Sequence, residues 1–167
     1  MLHLFDANVL IEASNKYYPL DGVPEFWEWI VHQASNGLIK LPVEILEEVL
    51  AGSKKVDPLL AWVTAHKEVL RFNEEVVSSL VNRVVTEGYA ADLTDGELIE
   101  IGQDPFLIAY ALANTLERCV VTVEVSSPSK KRQNRKISDV CNYFGVNCQN
   151  PFRVYRSLGF STRWNIT

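Results

Sequence analysis

Four stretches of the chain place acids where carboxylates do chemistry. The first is L-H-L-F-D-A-N-V-L, in which Asp6 follows an apolar run and Asn8 stands two residues on. The second is E-I-L-E-E-V-L, carrying Glu44, Glu47 and Glu48. The third opens with Asp104-Pro105, and the fourth is V-V-T-V-E, ending on Thr122, Val123 and Glu124. Each acid also has a structural reading: Asp6 and Asp104 suit helix caps, the glutamates suit a wet helix face, and Glu124 suits the start of a loop. Gathered at one place, carboxylates ~4–5 Å apart repel by roughly 3–4 kcal/mol per pair at an effective dielectric near 20. A divalent cation relieves that repulsion, and hard oxygen donors favour Mg²⁺ or Mn²⁺ over zinc. His3, His32 and His66 are scattered without zinc spacing and read as structural.

The elements that must position these acids alternate between short apolar strands and amphipathic helices. Strands are expected at 2–6, 38–41, 69–72, 119–123 and 146–148. Helices are expected from Asn8, from Pro24, over 43–50, from Asp57-Pro58, over 74–87, from Asp104-Pro105 through Leu116, and from Asp139 to Gly145. This alternation predicts a three-layer α/β/α fold with a mostly parallel central sheet, in one domain spanning residues 1–167. In such folds ligands bind at the carboxyl ends of the strands, where Asp6 and Glu124 fall.

Composition sets the wider frame. The 167 residues are 47% apolar and 22% charged, enough for a substantial core. No apolar run reaches the ~18–20 residues of a membrane span. No basic region precedes an apolar N-terminal stretch, so a cytoplasmic protein is expected. Cys119, Cys141 and Cys148 lack metal-site spacing and read as buried thiols. The net charge of −5 hides an asymmetry: residues 1–129 hold 8 Lys/Arg against 20 Asp/Glu, and residues 130–167 hold 8 against one, Asp139. The densest basic run, Lys130, Lys131, Arg132, Arg135 and Lys136, follows closely on Glu124 and is a candidate contact for nucleic-acid phosphates.

F-D-A-N-V-L, E-I-L-E-E-V-L, D-P-F-L-I-A-Y-A-L-A and V-V-T-V-E occur in the order, and at about the separations, of a PIN domain. The resemblance covers nearly the whole chain. With I-S-D-V-C and F-G-V-N-C it is closest to bacterial PIN-like proteins related to VapC-type toxin ribonucleases. It implies metal-dependent hydrolysis of RNA, with Asp6, Glu48, Asp104 and Glu124 as metal-binding and catalytic acids. Glu44, one turn before Glu48, is the fallback for the second acid, whereas Glu47 is expected to point elsewhere. Asn8 and Thr122 match supporting positions, and Asp139 is either a further acid near the site or the cap of the helix it precedes. The family's usual fourth acid is Asp, and Glu124 departs from it by a methylene.

The resemblance also implies a cognate antitoxin and homodimers. Tyr17, Tyr18 and Trp27 are candidates for base stacking, with Trp27 favoured as core. Two other nucleotide-handling classes fit poorly: Asn8 replaces the second Asp of a haloacid-dehalogenase-type phosphatase, and no glycine-rich turn follows the first strand. The rival expectation is a non-catalytic PIN-like module that acts through protein or nucleic-acid binding.

Overall fold

The computed structural model describes residues 1–52 and 57–166. Four parallel strands form one sheet in the order β2-β1-β3-β4: β1 (Leu2–Phe5), β2 (Ile39–Lys40), β3 (Arg118–Val121) and β4 (Asn147–Gln149). Register pairs Leu4 with Lys40 on one side and with Val120 on the other. Leu4, Phe5, Ile39, Val120 and Val121 are fully buried, as parallel strands covered on both faces require.

Helices flank the sheet in the expected three-layer α/β/α arrangement. They are α1 (Ala7–Glu12), α2 (Pro24–Ser35), α3 (Val43–Gly52), α4 (Pro58–Leu70), α5 (Ser78–Arg83), α6 (Asp95–Ile101), α7 (Asp104–Leu112), α8 (Ile137–Phe144) and α9 (Pro151–Ser157). Among the described residues, no helix is long and apolar enough to cross a membrane.

Several boundaries differ from expectation for local reasons. Residues 69–72 do not form a strand, because α4 runs on to Leu70 and leaves only a bridge between Leu41 and Arg71. The helix expected over 74–87 starts at Ser78 and widens into π-helical turns over Val84–Tyr89. Helix α7 stops at Leu112, short of Leu116. Helix α8 begins at Ile137, so Asp139 lies inside it rather than before it, and Gly145 ends it with φ 68°. Two helices were not anticipated, α6 and α9. The first starts at a Thr94/Glu97 capping box and the second at an Asn150 cap followed by Pro151.

The core explains the aromatic residues. Tyr18 stacks on Phe26 at 4.1 Å, and Trp27, 2% exposed, donates its indole N–H to the Tyr18 carbonyl at 2.8 Å. Tyr18 and Trp27 are therefore packing residues, and Tyr17 alone of the three stays exposed. The histidines are structural as well. His3 is buried with Nδ1 3.0 Å from the Leu38 carbonyl oxygen, His32 lies against Trp164, and His66 bonds back to Trp62.

Candidate acid site

The strand order reverses between β1 and β3: from β1 the chain moves to β2 on one side, then returns to place β3 on the other. The crevice beyond the carboxyl ends of those two strands is where α/β sheets bind ligands. Asp6 comes directly after β1 and Thr122 directly after β3. The Thr122 hydroxyl donates to Asp6 Oδ2 at 2.9 Å, and the Asp6 backbone N–H donates to Val121 O at 2.9 Å.

Asp6 holds the N-cap position of α1, where its carbonyl accepts the Val9 N–H at 3.1 Å but its side chain makes no capping bond. Its side chain is instead 2% exposed in the crevice. Burial lifts its carboxyl to about 6, with Glu48 and Glu124 adding repulsion and the Thr122 hydroxyl opposing.

Asp104 approaches from the start of α7. It is the first helical residue, one position inside the expected cap, and its Oδ2 accepts from the Tyr89 hydroxyl at 3.5 Å. Burial and then repulsion from Asp6, Glu124 and Glu48 hold its carboxyl well above the ordinary range. Burial and the nearby Asp104 raise the Tyr89 phenol too, so the phenol stays a proton donor to that carboxylate.

Helix α3 presents Glu44, Glu47 and Glu48 to an open cleft of about 490 Å³, bordered opposite by Gly102 and Gln103 just before Asp104. Glu47 thus shares the cleft instead of pointing away, because positions i, i+3 and i+4 lie on one helical face. Glu48 stands on the rim, desolvated enough to raise its carboxyl, and it acts on both aspartates. Glu44 acts on the Tyr110 phenol instead, and its buried Oε2 has no hydrogen-bond partner among the described residues.

Glu124 lies past the end of β3, electrostatically coupled to Asp6 and Asp104. Both its oxygens are engaged: Lys136 Nζ donates to Oε1 at 3.0 Å and the Ile137 N–H to Oε2 at 2.8 Å. Asn8 is exposed on α1 and makes no hydrogen bond to Asp6. Asp139 accepts from the Ser126 hydroxyl and, at 2.8 Å, from the Ser127 N–H, so it fastens the segment that follows Glu124.

The basic run is mostly turned inward. Arg132 bonds Glu97 at 2.7 and 2.8 Å and Asp92 at 2.8 Å, and Arg135 bonds the Gly88 and Asp139 carbonyls. Lys130 and Lys131 are exposed and, among the described residues, make no ion pair. The thiols are free, with Cys119 and Cys141 buried.

Asp6, Glu48 and Asp104 offer hard oxygen donors, and the two aspartates carry raised carboxyls that a divalent cation would lower. That chemistry fits Mg²⁺ or Mn²⁺. Among the described residues, no three His, Cys, Asp or Glu side chains stand as a formed metal cage, so side chains would turn inward to close on an ion.

No curated protein matches the chain. A family model described as a domain of unknown function, DUF4411, matches residues 3–162, and the chain belongs to that family.

Proposed function

We propose that the chain is a Mg²⁺- or Mn²⁺-dependent endoribonuclease of the PIN type. The observation that carries this reading is the gathering of buried Asp6 and Asp104 at the β1/β3 crevice, where Asp6 repels Asp104 and Glu48 acts on both. Asp6, Asp104 and Glu48 would hold the ion. Glu124, the fourth acid expected of the site, already has both oxygens engaged.

The chemistry such an ion supplies when bound is acidification of a water and offset of charge on a scissile phosphate. The chain's own residues orient and shield. Thr122 fixes one oxygen of Asp6, the Tyr89 hydroxyl faces Asp104, and Lys130 and Lys131 offer cations for phosphates along the strand. A toxin's role, a cognate antitoxin, homodimers and a cytoplasmic location follow from the PIN resemblance alone.

A second reading is favoured by the Glu124–Lys136 pair and the lack of a formed cage: a PIN-like module that binds without cutting. Calorimetric titration with Mg²⁺ and Mn²⁺, on wild type and Asp104→Asn, separates the two. The nuclease reading expects uptake by wild type, loss in the variant, and Mn²⁺-dependent cutting of single-stranded RNA. Lack of uptake at millimolar metal sinks it and leaves the binding module.

A further inference from the structure

A cation, Lys136, stands against one of the crevice's acids. Lys136 Nζ sits 3.0 Å from Glu124 Oε1, while Ile137, the first residue of α8, gives its N–H to Oε2. The Glu124 N–H donates to Thr122 Oγ1 at 3.1 Å, the same oxygen whose proton goes to Asp6. An unbroken run of hydrogen bonds therefore joins Asp6, Thr122, Glu124 and Lys136.

Between Glu124 and Ile137 the chain carries its basic segment away from the sheet and back. That segment is fastened along its length. Ser126 and Ser127 bond Asp139, Arg132 bonds Asp92 and Glu97, and Arg135 bonds the Gly88 carbonyl. Arg132 takes φ 53°, a left-handed conformation unfavourable for a residue with a side chain, and its guanidinium contacts hold it there. Glu124 closes the segment at its far end, beside the acids.

An ammonium in contact with a carboxylate opposes a divalent cation at the same oxygens. A carboxylate at the first N–H of a helix is also well placed in the helix field. Both facts suit a clasp better than a ligand. Resting on the nuclease reading, we propose that Glu124 is a positioning residue: it binds Lys136 and the start of α8, fixing segment 125–136 beside the crevice. The metal is left to Asp6, Asp104 and Glu48.

The test uses the full chain and two readouts. Calorimetry with Mg²⁺ alone should find Glu124→Gln close to wild type, since Gln keeps the side chain's length and one oxygen that can accept from the Ile137 N–H, giving up the Lys136 contact, while Asp104→Asn loses uptake. Limited proteolysis should find segment 125–136 cut faster in Glu124→Ala, with a smaller rise in Lys136→Met, which keeps the Ile137 contact and folds if the alanine variant does not. On RNA, Glu124→Ala should raise KM with kcat retained, whereas Asp104→Asn should abolish cutting. Loss of Mg²⁺ uptake in Glu124→Gln makes it a ligand and overturns the proposal, as does wild-type proteolysis in both clasp variants. If wild type takes up no metal and cuts no RNA, the functional reading fails, and proteolysis still decides the clasp.

Discussion

Thr122 Oγ1 and Asp6 Oδ2 meet at 2.9 Å across 116 positions of sequence, and this bond ties the ends of β1 and β3 together at the point where the strand order reverses. The same hydroxyl oxygen accepts the Glu124 N–H. One buried side chain thus holds the carboxylate expected to bind metal and starts the turn that leads to the basic segment.

Thr122→Val removes the donor and the acceptor while keeping the side chain's shape. It leaves a buried carboxylate and a backbone N–H each short of a partner, for a loss of about 1–3 kcal/mol in denaturant unfolding. Loss of the group that orients a metal-binding acid should lower Mg²⁺ affinity by roughly 10–100-fold. Thr122→Ser should recover both. Wild-type metal affinity in the valine variant would show that Asp6 needs no such support.

The raised acids set the pH dependence. Asp6 sits at about 6 in the fold against an ordinary 3.8, so the folded state binds more protons between those values. The associated stability is full below the unfolded value and is lost as pH rises through about 6. At neutral pH without metal, Asp6 alone then costs the fold about 3 kcal/mol, and Asp104 and Glu48 act in the same direction. Glu97, lowered to about 2 chiefly by Arg132, works oppositely: its contribution is present above the ordinary glutamate range and lost as pH falls through about 2. Melting temperature without metal should therefore rise from pH 7 towards pH 4.5 and fall in stronger acid. Asp6→Asn should melt higher than wild type at pH 7, and Mg²⁺ should raise the wild type but not the variant. A flat profile between pH 4.5 and 7 would refute the raised carboxyls.

The sheet and the acids were legible for different reasons. Apolar residues in the expected 2–6, 38–41 and 119–123 mark β1, β2 and β3 because parallel strands buried on both faces leave little room for polar residues, whereas β4, Asn147-Cys148-Gln149, is a less buried edge strand that carries no such run. Asp6 and Asp104 stand after a strand and at a helix start, while Glu48, midway along α3, comes near enough to act on both. Helices α6 and α9 carried readable starts, the Thr94-Asp95-Gly96-Glu97 box and Asn150-Pro151, but their short apolar faces gave little periodicity. The roles of the basic residues were not legible. Arg132 meets its partners, Asp92 and Glu97, only after the chain has folded. The same holds for Glu124, whose partner Lys136 is 12 positions away.

Gly88 marks a close approach that sets the position of α8. A β-carbon there would lie 2.7 Å from Val140 Cγ1 and 2.9 Å from Phe144 Cε2, and the Gly88 carbonyl also receives Arg135. Gly88→Ala should push α8 outward and destabilise by about 1–3 kcal/mol, as overpacking does. Tyr89 follows directly and faces Asp104, so metal affinity should fall with it. Unfolding and titration of this one variant check both. Unchanged stability would mean that α8 can shift at no cost.

Salt dependence sorts the basic residues by role. Among the described residues Lys130 and Lys131 are exposed and without ion pairs, whereas Arg132 is held by Glu97 and Asp92, and Lys136 by Glu124. Each cation that contacts a phosphate of single-stranded RNA contributes about 0.7 to the slope of log affinity against log salt. Neutralising Lys130 and Lys131 together should flatten that slope by about 1.4 with RNA held by a catalytically dead Asp104→Asn background. Arg132→Ala should leave the slope near that of the parent and loosen segment 125–136 to proteolysis, since its charge is answered within the chain. If instead Arg132→Ala flattens the slope and the lysine pair does not, Arg132 leaves its partners for the RNA and the inward network opens on binding.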